Sequence, residues 1–173
     1  HEPRYWQDAA FNNPSQPVVG VCWYEAMAYA AWLAAVSGRP YRLPAEPEWE
    51  WAARRGRQPF PWGDTWDTGR LNSLEGDDRV MRTTPVGAYP HGATPDGIHD
   101  LAGNVYEWTA TRYAGYPYTG TAELANPSAT GLRIARGGGW AANRKMVRCA
   151  DRLRNSPLDG NSYHGFRLAR ISL

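Results

Sequence analysis

The hydrophobic and polar positions of this chain predict two helices followed by a long stretch of loops and short strands. From Cys22 to Leu33, Ala26, Tyr29, Ala30 and Leu33 recur on one face at helical spacing, and Gly38 supplies a stop. Cys22 and Glu25 hold the spacing of a capping box, with a thiol in place of the usual hydroxyl. A second helix is predicted over Glu46 to Arg55, closed by Gly56. Glu46, Glu48 and Glu50 lie in its first half and arginines at its end, as the helix dipole favours. Ala45 at its cap position cannot accept a hydrogen bond, so this end is predicted to be weakly fixed. Between Pro59 and Pro127 the pattern breaks into loops and short strands. Residues 131–171 alternate again: Leu132, Ile134 and Arg136 share one side and run into Gly137-Gly138-Gly139-Trp140, and Gly165 to Arg170 reads as a closing strand. Without an internal repeat or a low-complexity linker, residues 1–173 are predicted to form a single domain.

Composition sharpens this picture. Nine tryptophans and ten tyrosines stand against three phenylalanines, with 18 glycines and 14 prolines. Buried Trp and Tyr need polar partners, so the pattern points to irregular, hydrogen-bonded loops and away from long helices. The formal charge of +2 creates no broad field for a polyanion, and no nucleic-acid partner is expected. No apolar run is long enough for a transmembrane helix. Cys22 and Cys149 lack any CxxC spacing; two buried thiols are expected, with a disulfide between them left open. The basic residues are nearly all arginine, Lys145 being the single lysine, which suits planar, bidentate contacts.

Several strings together resemble the formylglycine-generating-enzyme/sulfatase-modifying family. They are Pro17-Val18-Val19-Gly20-Val21 with Trp23-Tyr24-Glu25-Ala26, Arg42-Leu43-Pro44 with Glu48-Trp49-Glu50, Pro61-Trp62-Gly63, Gly103 to Trp108, Arg136-Gly137-Gly138, and Gly165-Phe166-Arg167. They fall in family order across nearly the whole chain. The resemblance implies an α+β, C-type-lectin-like fold: two helices with a small twisted antiparallel sheet and long irregular loops. It also implies strands of the same domain that precede residue 1 and lie outside this sequence.

Gly103-Asn104-Val105-Tyr106-Glu107 sets an amide oxygen and a carboxylate three residues apart, hard oxygen donors of the kind calcium takes. By resemblance, a structural calcium is expected at Ala102 (carbonyl), Asn104, Val105 (carbonyl) and Glu107; the alternative is that Asn104 and Glu107 brace the loop by hydrogen bonds. A second calcium maps onto Asn72, Ser73 (carbonyl), Asp78 and Val80 (carbonyl), with Asp77 able to replace Asp78 and solvated loop acids as the alternative.

The oxidase of this family holds copper(I) on two cysteines downstream of the Gly-Gly motif, soft thiolates being required. Here Ala142 occupies the first of those positions, the second has no counterpart, and Cys149 matches a later position. No copper and no formylglycine generation are therefore expected. An iron-dependent sulfoxide synthase of the ergothioneine type, whose C-terminal domain has this fold, or another formylglycine-generating-enzyme-like oxidase, stays as the alternative. His1, His91, His99 and His164 are scattered without HxxxH spacing, and the iron-binding helical domain is not in this chain.

The expected function is non-catalytic binding. Asn143, Asp151, Leu153, Asn155, Leu158, Asp159, Asn161, Ser162, Tyr163 and His164 are residue types that adenine-directed mutagenesis of asparagine-type codons produces. They are set among Arg148, Ala150, Arg152 and Pro157. That mixture resembles the variable proteins of diversity-generating retroelements, the alternative being an ordinary polar loop of the family. The resemblance implies a protein or peptide ligand at about 140–164, with Trp140 and Tyr163 as aromatic anchors and Lys145 on the same surface. Arg136, Arg152 and Arg167 are assigned to the scaffold beneath it.

Overall fold

The computed structural model describes residues 2–118 and 126–170. Helix α1 spans Trp23–Ser37 and helix α2 Glu46–Arg54. The strands are β1 (Tyr41–Arg42), β2 (Tyr106–Arg112), β3 (Arg133–Arg136), β4 (Leu153–Asn155), β5 (His164–Phe166) and β6 (Ala169–Arg170). Among the described residues no helix is long and apolar enough to cross a membrane.

The sheet corrects one expectation. Four strands run in the order β4-β3-β2-β5, with β2 against β3 and β3 against β4 antiparallel but β2 against β5 parallel, so the sheet is mixed. Strand β5 reaches β2 after the long 140–163 excursion, a crossover of the length a parallel pair needs. The expected closing strand is split: β5 joins the large sheet, whereas β6 pairs with β1 in a separate two-stranded ribbon.

Both helix starts are tied by side chains. Glu25 accepts a hydrogen bond from the Cys22 amide at 2.7 Å, the reciprocal half of a capping box. At α2 the alanine cap is compensated twice. Glu48 accepts from the Ala45 amide at 2.7 Å, and Thr111 Oγ1, far along the chain on β2, accepts from the Glu46 amide at 2.9 Å. The predicted weak end is therefore pinned by tertiary contact. Helix α1 buries Ala26 and Ala30 but leaves Tyr29 46% exposed, packed edge-on against Phe166.

The core is built from indoles that bond outward. Trp23 donates to the Thr109 carbonyl at 2.8 Å and Trp108 to the Val21 carbonyl at 3.0 Å, both rings being wholly buried. This meets the need of a loop-rich fold to satisfy backbone groups without regular ladders. Buried arginines do the same work: Arg133 lies 3.9 Å over the Trp23 ring and donates to the Ala129 carbonyl at 2.7 Å. All of Arg133–Arg136 is buried, so β3 is a central strand whose two faces are both covered.

Candidate functional site

The segment 140–163 leaves the sheet after β3 at Gly137 and Gly138, both with positive φ. At Gly138 a Cβ would lie 2.6 Å from the Val147 side chain, so glycine is required where the chain turns. Beyond it, Val147 and Cys149 point inward and are wholly buried, while Asn143, Arg144, Lys145 and Met146 are exposed.

An ion network anchors the excursion to α2. Glu46, fully buried, accepts from Arg152 Nε at 2.6 Å and from a terminal Arg152 nitrogen at 2.9 Å, and faces Arg136 Nε at 3.5 Å. Arg136 also bonds Glu50 at 2.6 Å and donates to the Asp151 carbonyl. The Arg152 guanidinium sits 4.2 Å over the Tyr116 ring and donates to Tyr118 Oη at 2.6 Å. Arg167 forms a two-nitrogen fork on Glu107 at 2.5 and 2.6 Å. All three arginines assigned to the scaffold are found there.

The rest of the segment is fastened through its main chain. The Asn161 carbonyl accepts from the Gly20 amide at 3.1 Å, the Ser162 carbonyl from Trp140 Nε1 at 3.1 Å, the Tyr163 carbonyl from the Tyr106 amide at 2.7 Å, and the Pro157 carbonyl from the Trp23 amide at 3.0 Å. Among the expected binding positions, Trp140, Leu153, Asn155, Tyr163 and His164 bond to or pack against the scaffold, whereas Lys145, Asp151, Leu158, Asp159, Asn161 and Ser162 make no side-chain hydrogen bond among the described residues. Asn143, Lys145 and Leu158 are exposed, Leu158 at 74%; Trp140, Asp151, Leu153, Asn155, Asp159, Asn161, Ser162 and Tyr163 are half-buried. Besides Trp140, two carry side-chain hydrogen bonds. Asn143 Oδ1 accepts from the Lys145 amide at 3.0 Å, and Asn155 Nδ2 lies 3.1 Å from His164 Nε2. Burial raises the Asp151 carboxyl above its usual range, partly opposed by Arg148.

His164 departs from the expectation of a surface contact. It has no exposure, pairs in register with Tyr106 on the parallel strand, and packs 4.7 Å from the Trp108 ring. Burial lowers its pKa to about 4, so it is neutral at physiological pH. Tyr106, which the motif reading left out of the site, lies directly beneath: its ring meets Tyr163 and His164, each at 6.1 Å. Burial pushes its phenol up to about 12. Its place inside a string of buried motif residues masks it among core positions.

Asn104 Oδ1 accepts from the Thr84 amide at 2.9 Å and from Asn72 Nδ2 at 3.2 Å. Glu107 accepts from Trp49 Nε1 at 2.6 Å as well as from Arg167. The two side chains therefore serve separate networks, and Arg167 already matches the carboxylate charge. A calcium ion at Ala102, Asn104, Val105 and Glu107 does not fit these side chains as they stand, because it must displace Arg167 and the Thr84 amide. In the second set, Asn72 also donates to the Arg82 carbonyl at 2.8 Å, Ser73 is buried, Val80 is half-buried, and exposed Asp78 meets Tyr89 Oη at 3.3 Å. Asn72 and Asn104, expected in different sites, are bonded to each other. Gly103 makes that contact possible, since a Cβ there would collide with the Asn72 carbonyl.

The thiol positions do not form a soft-metal pair. Ala142 and Cys149 belong to different core clusters, and burial pushes the Cys149 thiol up to about 12, away from the thiolate a copper(I) ion needs. Both cysteines are free.

Comparison with known proteins places this geometry. Residues 3–172 match the sulfatase-modifying factor enzyme 1-like domain. A serine/threonine-protein kinase pkn1 of Chlamydia caviae is 41% identical over 160 residues, covering 89% of this chain and 24% of that protein. A hercynine oxygenase of Mycolicibacterium thermoresistibile is 37% identical, covering 90% of this chain and 36% of the relative. The inactive C-alpha-formylglycine-generating enzyme 2 of Mus musculus is 36% identical, with 88% and 48% covered. The chain thus spans a quarter to a half of these relatives. Among solved structures, PvdO from Pseudomonas aeruginosa superposes with TM-score 0.77 at 32% identity, over 91% of this chain and 63% of that one. Treponema denticola variable protein 1 superposes with TM-score 0.78 at 23% identity, over 97% and 77%. By its sequence motifs and the match across nearly its whole length, the chain belongs to the sulfatase-modifying factor enzyme 1-like domain family, the formylglycine-generating-enzyme type.

Proposed function

We propose that this domain is a non-catalytic binding module whose ligand, a protein or peptide, is read by side chains of residues 140–163, and that this surface is diversified as in retroelement variable proteins. One observation carries the reading. At Asp151, Asn161, Ser162 and Tyr163 the scaffold bonds are made to main-chain carbonyls, so the side chains can change without loosening the loop. The recognition surface is rigid in backbone and free in side chain, the combination that antibody loops exploit. Near the Gly-Gly motif Ala142 has no side-chain ligand atom and Cys149 is a protonated thiol, which supports the non-catalytic half.

The test is genomic. A near-copy of the DNA encoding 140–164, differing at adenines and lying beside a reverse transcriptase gene, is the expected result. An intact locus with no such copy refutes diversification.

A second reading has its own observation, the 37% identity to a hercynine oxygenase. It makes this chain the C-terminal part of a sulfoxide synthase. Iron-dependent oxygen consumption with hercynine by the full-length gene product would establish it in place of the binding reading.

A further inference from the structure

Beneath the binding face lie two polar atoms that the fold does not use. Tyr106 Oη and His164 Nδ1 are both buried and have no hydrogen-bond partner among the described residues, in side chains whose residues are exposed at only 4% and 0%. Such atoms are uncommon in folded proteins and call for an account. His164 Nε2 faces Asn155 Nδ2, an amide donor, so Nε2 is the acceptor and the ring proton resides on Nδ1. Tyr106 keeps its phenolic proton at neutral pH. Both unused atoms are therefore donors, and both belong to rings on adjacent paired strands, where their positions are fixed.

Tyr163, on the binding face, packs against both rings. The Tyr163 ring centroid lies 4.9 Å from His164 and 6.1 Å from Tyr106, edge-on in each case. Gly139 leaves room for it, since a Cβ there would come within 3.0 Å of the Tyr163 Cβ. Tyr163 is half-buried and is held by its own carbonyl, not by its hydroxyl.

We propose that Tyr163 is a stopper over a pocket floored by Tyr106 Oη and His164 Nδ1, and that a small residue at 163 opens this pocket to a planar ligand group bearing an acceptor oxygen. Such groups on a polypeptide partner are the side-chain amides and carboxylates. The inference deepens the binding reading and rests on it for biological meaning. Diversification at position 163 then chooses between a flat aromatic surface and a socket with two fixed donors, without any change in the scaffold.

The experiment needs no natural ligand, so its failure leaves the binding reading standing, while the genomic test does not bear on the pocket. Tyr163→Ala is titrated with benzamide and with toluene, followed by NMR and thermal shift. Benzamide is expected to bind saturably and about tenfold tighter than toluene, the worth of one satisfied buried hydrogen bond. In Tyr163→Ala with Tyr106→Phe that preference should shrink, and wild type should bind neither. Equal affinity for the two probes, no binding by folded Tyr163→Ala, or equal binding by wild type overturns the proposal. If Tyr163→Ala does not fold, Tyr106→Phe in the otherwise unchanged chain decides. An unused hydroxyl predicts an equal or higher Tm; a fall of several degrees shows that the hydroxyl already serves the fold, and the proposal is lost.

Discussion

Glu46→Gln removes one charge from an enclosed ion network while keeping the shape of the side chain. Glu46 is wholly buried between two guanidiniums, at 2.6 and 2.9 Å from Arg152 and 3.5 Å from Arg136. Breaking a buried pair by neutralising one partner leaves an uncompensated charge, a change that costs about 3–5 kcal/mol. The low end applies here. Arg136 retains Glu50 at 2.6 Å, and the Arg152 side chain, 15% exposed, reaches solvent and Tyr118. A loss of about 3 kcal/mol in a domain of this size lowers Tm by roughly 6–12 °C. The assay is thermal and urea unfolding by circular dichroism at pH 7, with Arg42→Gln as a control. Arg42 pairs with Glu48 in an exposed bridge that should cost about 1 kcal/mol or less. If Glu46→Gln proves as mild as the control, the network does not anchor the 140–163 segment.

Two further outcomes follow from the same geometry. His164 is held neutral, its pKa lowered from 6.5 to about 4, so its stabilising contribution is complete above the unfolded pKa. It is lost as pH falls from about 6.5 to about 4. Stability should rise by about 3 kcal/mol across that window; His164→Phe should flatten the curve, and an unchanged slope would show that His164 is protonated freely. Calcium at millimolar concentration should leave Tm unchanged, because Arg167 already neutralises Glu107 and Thr84 already occupies Asn104. A saturable rise in Tm, abolished in Glu107→Gln, would show that the ion displaces them.

Much of the scaffold was legible in the sequence because its signals are local. Helical spacing and Gly38 marked α1, and the indole and arginine excess foretold side chains bonding to backbone, as Trp23, Trp108 and Arg133 do. What escaped is long-range. The pattern of residues 165–170 marks a strand but carries no direction, so the parallel pairing of β5 with β2 had no signature. Thr111 capping α2 lies 65 residues from its partner. His164 reads as one more polar loop residue, yet its register opposite Tyr106 takes it into the core. The exposed positions Asn143, Lys145 and Leu158 were legible, since nothing in their neighbourhood requires burial.

The Arg152 ion pair, the Trp140 indole and main-chain carbonyls hold the recognition loop, and among the described residues the side chains at 145, 151, 158, 159, 161 and 162 make none of these bonds. The direct measurement is the folded fraction of a displayed library in which Lys145, Asp151, Leu158, Asp159, Asn161 and Ser162 are randomised together. Most members should unfold cooperatively near the wild-type temperature, as surface substitutions of small individual cost allow. A library that is largely unfolded would mean that these side chains build the loop, and the account would be wrong.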